Sequence, residues 1–143
     1  MLATNSNISA LEWFFRRPPA SNFPLAASSP ELLRLRNATK QLCETLSNSQ
    51  DIKFKDYSLT FSKWLGNVEV MESIERLLVE NFIDHLDSLI KYSMSIKDTS
   101  TISDIQENIK TTVIALALFA KTSQDINFSK QVINLGKSLY SIR

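Results

Sequence analysis

The sequence predicts an all-α fold: about five helices in an antiparallel bundle, preceded by an N-terminal arm. Three observations carry that expectation. Apolar residues recur at three- and four-residue spacings over long stretches. Helix-start signals stand at Ser29-Pro30-Glu31 and at Asp125. No alternating run is long enough to build a sheet. A chain of 143 residues holds one domain comfortably. We divide it into an arm and linker over residues 1–29 and a helical bundle domain over residues 30–143.

Each element follows from local chemistry. In the arm, Pro18, Pro19 and Pro24 interrupt a Ser/Ala/Asn-rich stretch and forbid a regular helix there. Ahead of them, residues 8–15 form an apolar segment about two turns long. The first bundle helix begins with a serine cap, a proline in the first turn and an early acid. It carries Leu32, Leu35, Leu42, Cys43 and Leu46 on one face to about Ser47. Asn48 to Asp56 reads as polar loop, with Ile52 and Phe54 as a short extended piece. Tyr57, Phe61, Trp64 and Leu65 make an aromatic stripe on a short helix that Gly66 ends.

The longest helix is expected from Asn67 to about Lys97. Steps of 100° put Met71, Ile74, Leu78, Phe82, His85, Leu89 and Ile96 on one side, with Glu69, Arg76, Glu80, Asp84 and Asp87 on the other. After a break at 98–101, Ser103 and Gln106 have capping-box spacing. The stripe Ile102, Ile105, Ile109, Val113, Leu116 and Ala120 follows. Ile114 and Leu118 lie opposite, which predicts a helix covered on more than one face. The last helix starts at Asp125 and repeats Phe128, Val132, Leu135, Leu139 and Ile142.

The composition excludes more functions than it proposes. Two glycines cannot form a phosphate loop, a dinucleotide-binding turn or a nucleophile elbow. One cysteine and one histidine cannot form a zinc site, a disulfide framework or a redox pair. The formal net charge of +1 lacks the basic surplus that phosphate binding wants. The charge is uneven, with an acidic middle and mildly basic ends. No apolar run reaches the roughly eighteen residues of a membrane span. The single Cys43 fits a reducing intracellular compartment. Arg16 and Arg17, with Glu12 as the one acid before Glu31, keep organelle import as an alternative.

His85, Cys43 and the acids are the residues to examine for chemistry. His85 falls in the middle of an apolar stripe, with Asp84 and Asp87 pointing away around the helix, and reads as a partly buried core residue. Cys43 lies late in its helix, where the dipole opposes a thiolate. Glu80, Asp84 and Asp87 lack the matched second helix of a di-iron bundle. We therefore expect no enzyme: no catalytic residue, no cofactor and no metal.

The expected function is a non-enzymatic protein–protein interaction subunit, an adaptor or scaffold in a larger complex. Trp13, Phe14 and Phe15 are its anchors, with Arg16 and Arg17 at the rim, since aromatic and arginine side chains dominate interfaces. The acidic residues Glu69, Glu80, Asp84 and Asp87 form a second candidate surface. The partner is another protein chain, with self-association left open. The alternative is a nucleic-acid-associated helical protein, using the lysines and aromatics of residues 53–64 as a stacking platform.

Overall fold

A computed structural model describes residues 25–26, 29–71, 73–96 and 99–140. Within them lie five helices: α1 Pro30–Ser47, α2 Ile52–Glu69, α3 Arg76–Ser95, α4 Thr99–Ser123 and α5 Ile126–Tyr140. Two strands, β1 Leu25–Ala26 and β2 Ser73–Ile74, complete the set. The fold is all-α, as the apolar periodicity requires.

Helix α1 starts where its chemistry says. The Ser29 hydroxyl accepts from the Leu32 amide at 3.2 Å, and Pro30 occupies the first turn, where no amide hydrogen is missed. Leu32, Leu35, Leu42 and Leu46 are fully buried. Cys43 meets α2 through a reciprocal pair of bonds. The Ser58 hydroxyl donates to the Cys43 carbonyl at 2.9 Å, and the Cys43 thiol donates to the Ser58 carbonyl at 3.6 Å. Two small side chains thus let the helices approach closely while satisfying their own polar atoms.

Helix α2 departs from the expected short element at both ends. Asp51 caps it, accepting from the Lys53 amide at 2.8 Å, so the stretch expected as loop is already helical from Ile52. Gly66 does not end it. The helix continues to Glu69 because Gly66 holds no positive φ, and Val68 beyond it is fully buried. The expected helix from Asn67 to Lys97 is instead divided. Ile74 and Ser73 pair antiparallel with Leu25 and Ala26, and α3 begins only at Arg76. Ile74 is fully buried, so it serves the core from an extended backbone.

The buried face of α3 is Val79, Phe82, Ile83, Leu86, Leu89, Ile90 and Ser93. It is rotated from the expected stripe, leaving Leu78 and His85 at its edge and Met71 outside any helix. Phe82 sits among aromatic neighbours, with Phe61 edge-on at 5.5 Å and Trp64 at 4.4 Å between ring centroids. Such pairs add about 0.5–1.5 kcal/mol beyond area burial.

Helix α4 packs against α1, α3 and α5. It begins at Thr99, so Ser103 stands exposed inside the helix rather than capping it. Ile105, Ile109, Leu116 and Phe119 are fully buried, whereas Ile114 is 50% exposed. Its outer apolar face is therefore not covered within the described residues, contrary to the expected burial on several sides. Helix α5 starts at Asp125 as expected, with the Phe128 amide donating to its carboxylate at 3.1 Å.

Candidate functional site

Apolar, amide, hydroxyl and cationic side chains line a groove between α2 and α3. Helix α2 contributes Leu59, Thr60, Lys63, Trp64 and Asn67, a set that falls on one face by its spacing. Helix α3 contributes Leu78, Asn81 and His85 at i, i+3 and i+7. The groove encloses about 410 Å³, which lies inside the usual range of roughly 300–1,000 Å³ for binding clefts.

Its floor is buried and its lip is exposed. The Trp64 indole N–H donates to the Leu78 carbonyl at 3.0 Å, which ties the two helices together beneath the groove. That bond satisfies the indole donor and leaves the ring packed on Phe82. Leu59, at the lip, is 70% exposed. Lys63 is exposed and His85 half-buried, with the His85 ring edge-on to Phe61 at 6.3 Å between centroids. No carboxylate lines the groove among the described residues. Its chemistry is therefore an apolar trough with amide and hydroxyl partners, and its charged side chain is cationic.

The far end of the same helix pair is closed by a polar lock. The Tyr92 hydroxyl donates to the Asp51 carboxylate at 2.5 Å, and the Lys53 ammonium lies 4.7 Å from the Tyr92 ring centroid. The hydrogen bond holds the Asp51 carboxyl below its usual range and pushes the Tyr92 phenol up to about 12.

The structure separates the sequence-predicted site residues. Trp13, Phe14, Phe15, Arg16 and Arg17 lie outside the described residues. Glu69 does not share a face with the other acids. It ends α2 and sits 3.6 Å from both Arg36 and Lys40 of α1. Asp87 pairs with Lys91 at 3.0 Å along α3. Glu80 is half-buried and Asp84 exposed on the same helix. Of the proposed stacking platform, Phe61 is fully buried and Trp64 nearly so, which leaves neither ring an open face for bases. Burial pushes the Cys43 thiol above its usual value, against a lowering hydrogen bond from Ser62. Such a thiol is a core group rather than a ready nucleophile.

Sequence reading missed the groove because it took its residues for something else. Leu78 and His85 were in the expected core stripe, and Trp64 in the aromatic one. The available signal was the pair Leu59 and Lys63, an i, i+4 neighbourhood outside every apolar stripe. Among the described residues, no group of three or more His, Cys, Asp or Glu side chains is placed to hold a metal, and no helix is long and apolar enough to cross a membrane. The chain matches no protein-family model, and comparison with curated proteins and with solved structures finds no similar chain.

Proposed function

We propose that this chain is a non-catalytic interaction module, an adaptor or scaffold subunit that receives a segment of another polypeptide in the α2–α3 groove. One observation carries this reading. Leu59, Trp64 and Leu78 line a trough whose polar groups are amides, a hydroxyl, Lys63 and His85. An exposed leucine at the lip of a groove floored by a tryptophan is costly to leave in water and gains when covered. The matching ligand is an amphipathic segment with apolar side chains at helical spacing. A carboxylate on that segment reaches Lys63 and His85.

The test is selection from a displayed library of random twelve-residue peptides, run on the intact chain and on Leu59→Glu. Leu59 is largely exposed, so the substitution spares the core. The expected outcome is enrichment of apolar, acid-containing peptides that the variant no longer retains. Equal enrichment on both proteins would sink the groove reading. Circular dichroism of the variant confirms that the helices persist.

A further inference from the structure

Three features converge on the occupant of the groove. The first is the tether. Leu25 pairs with Ile74, and Ile74 is four residues from Leu78, which lines the groove. Paired strand residues lie about 5 Å apart, and four residues span at most about 15 Å. The chain therefore enters the described fold within roughly 20 Å of the groove.

The second feature is reach. Phe15 precedes Leu25 by ten positions in the sequence. Even at the roughly 3.1 Å per residue of a proline-stiffened stretch, that length covers about 31 Å. The third is chemistry. Trp13, Phe14 and Phe15 supply apolar side chains to cover Leu59 and Leu78, and Glu12 directly before them supplies a carboxylate for Lys63.

We infer that residues 12–17 of this same chain occupy the α2–α3 groove in cis and compete there with an outside segment, an inference that rests on the groove being the binding site. The module then carries its own pseudo-ligand. A tethered segment acts at an effective concentration on the order of 1 mM. An arm whose own dissociation constant for the groove is on the order of 100 µM then weakens any outside ligand about tenfold, relative to a chain without the anchor.

The test uses a fluorescein-labelled peptide of residues 8–17 added to three full-length proteins and read by anisotropy. The proteins are the intact chain, Trp13→Ala/Phe14→Ala/Phe15→Ala, and that triple variant with Leu59→Glu. The expected result is binding to the triple variant, about tenfold weaker binding to the intact chain, and loss of binding with Leu59→Glu. Equal binding to the first two proteins, or binding to neither, overturns cis occupancy. Binding to the triple variant that ignores Leu59→Glu places the arm elsewhere and also overturns it. A concentration-dependent dimer by light scattering, lost in the triple variant, assigns the arm to a second copy instead. In each overturning case the library selection still decides the groove on its own, so the two readings fail separately.

Discussion

Two short helix connections of this bundle solve the same problem in opposite ways. Between α4 and α5, Gln124 takes a left-handed turn at φ 55, and the polar groups of Ser123 and Asp125 beside it are bonded. The Asp125 amide donates to the Ser123 hydroxyl at 3.1 Å, and the Asp125 carboxylate caps α5 while pairing with Arg76 at the start of α3. Ser123 and Asp125 are fully buried. Between α2 and α3, Val70 is 84% exposed, Leu77 is 68% exposed, and Glu75 makes no side-chain cap. One corner is closed by polar satisfaction. The other leaves apolar surface in water beside the groove. Ile126 at the first corner is 51% exposed, so the difference is one of degree: the α2–α3 connection leaves more apolar surface in water, and its polar groups are less fully used.

The comparison breaks first at Asp125. Replacing it with alanine removes a cap and the partner of Arg76 together. The expected loss is about 3 kcal/mol, since breaking a buried pair is costly but Arg76 retains some contact with solvent. Urea unfolding of Asp125→Ala measures it, and a loss under about 1 kcal/mol would make the closed corner no more committed than the open one.

The next effect lies at the far end of the α2–α3 pair. Tyr92→Phe deletes the hydroxyl that Asp51 accepts from, and about 1 kcal/mol should go with it, given how much of the pair faces solvent. The pH dependence has a definite sign. Asp51 titrates below its usual 3.8, so its contribution is present above that value and is lost as pH falls through the lowered one. Tyr92 titrates at about 12 rather than 10.0, so its contribution is full below 10.0 and is lost as pH rises toward about 12. The gap between wild type and variant is therefore widest and flat from about pH 5 to 9, and chemical unfolding across that range checks it.

A smaller effect has the opposite sign. A Cβ added at Gly66 meets nothing within 4 Å, and its φ is not positive. Gly66→Ala should raise stability by roughly 0.5–1 kcal/mol, through helix propensity and a less free unfolded chain. Thermal unfolding measures the gain. The smallest change in stability belongs to Leu59→Glu, at most about 0.5 kcal/mol, although that variant is the one expected to lose peptide binding. Leu59 thus bears on binding with little effect on stability, and Asp125 on stability alone.

What was legible in the sequence depended on how local its cause was. Ser29 and Asp125 announce their helices because a cap is decided within three residues. Asp51 acts in the same way, but it precedes a stretch where Ser58 interrupts the apolar stripe, and the start of α2 was lost in apparent loop. The division at 70–75 had no local mark. Met71 and Ile74 continue the helical period of the residues beyond them, and only pairing with Leu25 and Ala26 makes this stretch extended. The groove was hidden for a related reason. Periodicity identifies an apolar face only to within a residue or so, and the rotation that moves Leu78 and His85 from the centre of that face to its edge is set by the neighbouring helices.

The two-residue ladder between β1 and β2 also orders events in time. Its partners stand about fifty residues apart along the chain, and two residue pairs hold that loop closed. It is also the contact that opens most readily without disturbing the helices, because so few bonds hold it. Amide hydrogen exchange should find its protection factors well below those of α1 and α4. The ladder is then the first contact released when the native state fluctuates, while the helices stay packed.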